Sequence, residues 1–449
     1  MSQSLSFDCW RSDEPAATEA IEKRTWAGLR LLVNGQCATQ FWDRHANAPA
    51  ETIYVPAFSI AEWLVTNWWA LFFEPSRSET PPAESSRHFP SQRAWLNRHC
   101  LRTAESGLFL PYLHIYSNGP GVSVFWSEDD SEAYPSAPGY FLYSGSAHLE
   151  LRPAMTAVGE FVSKVLSWCD GVAGSRVEMI RSDWDAITGA DKEEQSFCRA
   201  AGRLGLDPYA IENWEPGLAV FLEAGIGARI DDAYVEDLLE AVEPSNVLPS
   251  WEWLSKTEYN YGLLAGRMKI DAGSGFRTAK DRGYFLARQV RRLSGLDADA
   301  PVDSVGELAR GIGGSPLSFE VHNHLPSRAI LAAVGWRGGH EPVVAGPKPS
   351  HPNTQRFLEA RGLFQVMIGC SLGPRLVTRA HTWDQQAARS FAAELLAPQE
   401  ALAEHATPDM GPDERVELQE KLASRFKVST EVVRLQLQNH GVWRELEFN

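Results

Sequence analysis

The sequence predicts an α+β protein: a mixed α+β N-terminal part, a helical middle, and a mostly helical C-terminal part with a small sheet. Three observations carry this. Residues 24–42 and 112–126 each read as strand, turn and strand, and residues 141–151 alternate like a further strand. From about residue 153, apolar residues recur at helical spacing, broken by Gly, Pro and Asp. Beyond residue 315, short apolar runs (SPLSFEVHN, RAILAAVGWRGG, HEPVVAG) return as strands and turns before the helical pattern resumes. The expected divisions are 1–152, an α+β domain without a recognisable motif; 153–282, a helical middle; and 283–449, a C-terminal domain.

The elements follow in order. Asn34-Gly35 sits between two apolar runs and suits a tight hairpin turn, because both positions tolerate φ > 0. Ser59 followed by Glu62 fits a capping box opening a helix that stops at Pro75, with Ile60, Trp63, Leu64, Asn67, Trp68, Leu71 and Phe72 at helical spacing. Its tryptophans read as core packing rather than a ligand pocket. Residues 75–92 are a polar, Pro/Ser-rich loop. TAVGEFVSKVLSWCDG, EEQSFCRAAGRLGLDPYAI (its helix ending at Gly205) and DDAYVEDLLEAVEPS form the helical middle, followed by TEYNYGLLAGRMKI and DRGYFLARQVRRLSGL. Arg288, Arg291 and Arg292 make a basic face on the last, read as solvated or paired with acids. Residues 303–314 read as a short helix, 353–368 as an amphipathic helix, and a further helix runs from Trp383 to Leu396. The tail is two helices joined by FKVS.

Composition bounds the function. The chain has 449 residues, 44% hydrophobic with 16 tryptophans, so it can build more than one sizeable core. Its net charge of −16 disfavours broad binding to nucleic-acid phosphates. The N-terminus lacks a basic segment followed by an apolar run, so no secretory signal is expected. Residues 59–73 are too short to span a bilayer and carry Glu62 and Asn67, so no membrane partner is expected. Six scattered cysteines without C-x-x-C suit reduced thiols in a cytoplasmic protein. Neither a G-x-S-x-G elbow nor a P-loop is present, and GIGGSP ends in proline rather than opening a helix with lysine. The acid pairs Asp129-Asp130 and Asp231-Asp232 read as solvated.

AARSFAAELLAPQEAL (387–402) resembles a helix of the ImmA/IrrE family of bacterial and phage metallo-endopeptidases, with Ala388, Phe391, Ala392, Ala393, Leu395, Leu396 and Pro398 matching. LASRFKVSTEVVRLQL (422–437), GYFLARQVRRLSGL and VGELARGIGG resemble neighbouring family helices, so the resemblance covers roughly a third of the chain. It implies a zincin-like C-terminal domain. The family's zinc helix carries two histidines at i and i+4 and a glutamate as general base. The matching stretch here is RFLEARGLFQ. Arg361 replaces the first histidine, Gly362 the glutamate and Gln365 the second histidine, while the third ligand maps onto Gln385 or Asp384. Arginine has no lone pair for a cation, glycine has no group to take a proton, and a glutamine amide is a poor zinc ligand.

The resemblance therefore implies a regulator or sensor in stress response or mobile-element control that acts on a protein or peptide partner, with no catalytic residue, metal or cofactor. Its expected pocket candidates are Arg361, Gln365, Asp384, Gln385, Arg389 and Glu394, with Arg361 and Arg389 meeting and clamping Asp384 or Glu394. Two alternatives stand beside it. One is a working peptidase with an unusual zinc site from His322, His324, His340, His381 or Asp384; His322 and His324 share a strand face, but short patterns match by chance. The other is DNA reading by the C-terminal helix pair through Arg434, Gln436, Gln438 and Asn439, disfavoured by Glu431 and by the absence of a basic footprint.

Overall fold

The computed structural model describes residues 4–76, 89–132, 135–227, 232–256, 276–313, 315–322, 325–337, 341–368 and 375–443. Helices and several small sheets alternate, which is an α+β architecture. The chain divides into two compact units, Met1–Ile226 and Gly227–Asn449. The helical middle that the sequence outlines is shared between them. TEYNYGLLAGRMKI, His324, His340, Asp231, Cys370 and most of the 75–92 loop lie outside the described residues. The five described cysteines form no disulfide. Among the described residues no helix is long and apolar enough to cross a membrane.

The first unit opens with β1 (Leu5–Arg11), α1 (Ala20–Arg24), β2 (Trp26–Val33), β3 (Gln36–Cys37), β4 (Phe41–Asp43), β5 (Ala48–Ala50) and β6 (Ile53–Pro56). It continues with α2 (Ala57–Thr66), α3 (Trp68–Phe73), α4 (Pro90–His99), β7 (Tyr112–Ser117), β8 (Gly121–Ser127), β9 (Gly139–Phe141) and β10 (Gly145–Glu150). Four helices follow: α5 (Leu151–Trp168), α6 (Ser175–Gly189), α7 (Lys192–Arg203) and α8 (Leu218–Gly227). Antiparallel pairing joins β2 to β1, β3 and β6, runs β10-β8-β7 in a second sheet, and β5-β4-β9 in a third. The β2–β3 hairpin turns at Asn34 (φ 51°) and Gly35 (φ 82°), the two left-handed positions a tight primed turn requires.

The expected capping box at Ser59 is not formed. Pro56 occupies the N-cap position of α2 without a side-chain cap, Ser59 is buried inside the helix, and Glu62 pairs with Arg176 (Nε–Oε1 2.7 Å). The single helix expected over 59–73 is broken at Asn67, whose side chain donates to the Trp63 carbonyl at 2.8 Å and competes with the backbone ladder. Trp63, Trp68 and Trp69 are buried, and Trp68 makes edge contacts with Phe72 and Trp184, so these rings are core. One polar cluster interrupts this core. Glu74 accepts two 2.6 Å bonds from Arg98 and stands 3.0 Å from His99 Nε2. Burial alone would raise the Glu74 carboxyl, but His99 and Arg98 outweigh it and hold the group at about 2.

The second unit contains α9 (Asp232–Ala241), α10 (Pro244–Lys256), α11 (Ala279–Leu293), α12 (Val305–Gly313), β11 (Ser318–Val321), β12 (Ile330–Arg337) and β13 (Glu341–Gly346). Then come α13 (Pro352–Ile368), β14 (Arg375–Thr378), α14 (Trp383–Leu396), α15 (Gln399–Ala403), α16 (Pro412–Phe426) and α17 (Thr430–Asn439). Its sheet runs β11-β13-β12-β14, parallel only between β11 and β13. Helix α13 packs on this sheet with one side and on α14 with another, and α11 packs along α14. That double cover corrects the expected amphipathic reading of 353–368: every residue from Ala360 to Val366 is buried, polar ones included.

Candidate functional site

The buried stretch of α13 puts Arg361 and Gln365 one turn apart on one face. Helix α14 does the same with Gln385 and Arg389. The strand β14 lies beside both and contributes backbone carbonyls, and α9 packs on β14.

Gln385 is the hub. Its Oε1 accepts from Arg361 Nη2 (2.7 Å) and from the Thr378 backbone N–H (3.0 Å). Its Nε2 donates to Asp237 Oδ2 (2.7 Å) and to the Leu376 carbonyl (2.7 Å). Two donors and two acceptor sites are thereby all used. Arg361 Nη2 also donates to the Thr378 carbonyl (2.7 Å). Thr382 caps α14 by accepting from the Gln385 N–H (3.3 Å), and its hydroxyl donates to Asp237 Oδ1. Glu240, one turn beyond Asp237, accepts from the His381 N–H.

Burial dominates the electrostatics. Asp237 is 0% exposed; desolvation pushes its carboxyl up to about 7, against hydrogen bonds from Thr382 and Gln385 and with help from the charges of Asp384 and Glu240. Arg361 is 3% exposed; desolvation and then the charge of Arg389 disfavour its cation, while Asp237 supports it. Desolvation likewise lowers Arg389, opposed by Glu240 and Asp237. Several polar atoms here are buried without a partner: Arg361 Nε, Arg389 Nη2 and both amide atoms of Gln365.

The six residues expected to share a pocket divide among three sets of surroundings. Arg361, Gln365, Gln385 and Arg389 belong to the cluster just described. Asp384 turns instead to Arg282 (2.9 Å) and Arg375 (3.5 Å). Glu394 lies toward the other end of α14, roughly 15 Å along the axis at 1.5 Å per residue. There it accepts from Arg288 (2.8 Å), from Gln436 Nε2 (3.0 Å) and from the Gln399 N–H (3.0 Å). The expected clamp on Asp384 or Glu394 is therefore replaced: Arg361 holds Gln385 and Thr378, and other arginines hold the two acids. Arg288 is paired, as expected, and Arg291 donates to four backbone carbonyls of residues 297, 298, 300 and 395.

Gly362 has a tighter reason than a missing catalytic group. A Cβ built on it would lie 2.2 Å from Val344 Cγ2 of β13, so this point of α13 faces the sheet at close approach. Arg361, Gln365 and Gln385 offer a guanidinium and two amides rather than imidazole or carboxylate, which is a poor donor set for a divalent ion. Among the described residues no group of three or more His, Cys, Asp or Glu is arranged to hold a metal. His322 Nε2 stands 3.9 Å from Glu320.

Sequence reasoning missed Asp237 and Glu240. Their stretch reads as an ordinary helix, and an acid pair three residues apart on a helix carries no signal of what it will face. In α17, Ser429 caps the helix as expected (Oγ to Val432 N–H, 3.3 Å). Gln436 and Leu437 are buried, and Arg434 pairs with Glu431 (2.6 Å) and Gln438 (2.9 Å). The groups named for DNA reading are thus partly spent within the protein. The chain matches no family model and no curated protein.

Proposed function

We propose that the second unit is a relative of the ImmA/IrrE metallo-endopeptidases that acts by binding rather than hydrolysis, as a regulator or sensor in bacterial stress response or mobile-element control. The observation that supports this reading is the use made of the motif positions. Arg361 is buried and hydrogen-bonded to Gln385, Gly362 is closed against Val344, and Gln385 has no free acceptor site for a metal or a water. A general base needs a titratable group within reach of the attacking water, and no such group stands on α13 at those positions. The partner in this reading is a protein or peptide.

The test is metal content and peptidase activity of the full chain after incubation with zinc and removal of free ion. The expected result is neither retained zinc nor cleavage of an unstructured protein substrate. Stoichiometric zinc that is lost on substituting His322 or His381, together with cleavage, would overturn the proposal and favour a peptidase with an unusual site.

A further inference from the structure

A cavity of about 680 Å³, open to solvent, lies in the second unit beside the last turn of α14, and none of Arg361, Gln365, Gln385 and Arg389 lines it. Its volume falls within the roughly 300–1,000 Å³ usual for small-ligand sites. One face of α11 borders it, where Tyr284, Phe285, Arg288 and Arg292 recur at helical spacing. Glu394 of α14 lines it as well, with Pro398 and Glu400 from the start of α15 and Leu296 from the turn after α11.

The lining joins an aromatic pair to a cation that no acid answers. The rings of Phe276 and Phe285 stand 5.2 Å apart between centroids, and Phe285 stays 36% exposed. Among the described residues Arg292 makes neither a hydrogen bond nor an ion pair. Its neighbour Arg291 is buried and donates to four backbone carbonyls, which neutralise no charge. Glu394 is held by Arg288, Gln436 and the Gln399 N–H. Glu400 supports the charge of Arg288. Asp281 stands about 16 Å from Arg292 along the α11 axis, at 1.5 Å per residue. The negative end of the helix dipole accounts for basic residues in the last turn of α11, but not for an aromatic pair beside an open cavity.

We propose that this cavity binds a small aromatic acid, with its ring against Phe285 and Phe276 and its carboxylate on Arg292. A planar guanidinium takes a carboxylate through two parallel hydrogen bonds. Offset or edge contact with the two phenyl rings places the apolar body without a polar partner. A neutral aromatic forgoes the first interaction and a simple carboxylate the second, so both parts are needed. The site is separate from the α13–α14 cluster and independent of whether the chain holds zinc.

The experiment is titration calorimetry of the full chain with sodium 2-naphthoate, 2-naphthylmethanol and sodium acetate, all at equal ionic strength. Saturable binding of 2-naphthoate is expected, at least about tenfold tighter than that of either the neutral alcohol or acetate. Arg292→Met and Phe285→Ala change side chains that reach solvent, so both are expected to fold, with circular dichroism as the check. Each should weaken 2-naphthoate at least about tenfold. Arg292→Lys should recover part of that loss, and Arg292→Met should no longer prefer the acid to the alcohol. No saturable binding of 2-naphthoate, equal affinity for the alcohol or for acetate, or affinity unchanged in either folded variant would overturn the inference. Retained zinc in the metal assay sinks the proposed function instead and leaves these expectations as they are.

Discussion

Replacing Gly362 by alanine sets two effects of opposite sign against each other. Intrinsic helix propensity favours alanine by about 1 kcal/mol inside a helix. Packing opposes it. The new methyl would stand 2.2 Å from Val344 Cγ2, 3.4 Å from its Cβ and 3.5 Å from its Cγ1. Val344 is 0% exposed and sits in the middle of the sheet, opposite Val334 on β12 and Phe319 on β11. A β-branched side chain has few rotamers to move into, so the relief must come from shifting α13 off the sheet. Overpacking of this kind costs roughly 1–3 kcal/mol. At the upper part of that range packing outweighs propensity, for a net loss of about 1–2 kcal/mol. In a unit of this size each kcal/mol moves the melting temperature by about 2–4 °C, so Gly362→Ala should melt some degrees below the parent by circular dichroism or calorimetry. Gly362→Ala combined with Val344→Ala should recover part of the loss relative to the sum of the single changes, because the two sites touch. If Gly362→Ala melts at or above the parent, propensity governs and the close approach of α13 to β13 is wrong.

The other predictions address the buried polar groups. Asp237 titrates at about 7 in the folded chain, above about 3.9 unfolded, so its contribution to stability is full below the unfolded value and is lost as pH rises through 7; urea denaturation across about pH 5–8 should show stability falling faster with pH in the parent than in Asp237→Asn, by at most ~1.4 kcal/mol per pH unit, and equal slopes would refute the assignment. Glu74 has the opposite sign: held at about 2, it stabilises above its unfolded value and loses that contribution as pH falls through 2, and Glu74→Gln, which leaves Arg98 and His99 facing an amide, should cost about 3 kcal/mol or more at neutral pH in urea denaturation. Tyr284→Phe removes a hydroxyl that donates to Gln436 Oε1 (2.7 Å) and accepts from Gln399 Nε2 (3.1 Å); a loss of about 1–3 kcal/mol is expected, and no measurable loss would mean that water replaces the hydroxyl.

Much of the fold was legible because it is local. Asn34-Gly35 turns a hairpin through its own φ preferences. The bounds of α14 at Trp383 and Leu396 follow from the Thr382 cap and the approach of Pro398. Ser429 caps α17 for the same kind of reason. The three strands between residues 318 and 346 stand where short apolar runs stood in the sequence. The misreadings arise where a side chain competes with the ladder or where two layers meet. Asn67 breaks a helix whose apolar spacing continues unbroken through it, and α13 is buried on both sides, which a one-sided pattern does not describe.

The site divides along the same line. By itself the sequence determined the chemistry that Arg361, Gly362 and Gln365 carry, because a guanidinium, a hydrogen and an amide have the same donors and acceptors wherever they are carried. Only the tertiary structure decided what those residues do instead. It brought Asp237 of α9 to Gln385 across 148 residues of chain, sent Asp384 and Glu394 to separate partners, and left Gln365 buried without a bond. Local preference acts over a few residues, whereas the partner of a buried polar group is whatever the packing of distant elements puts against it.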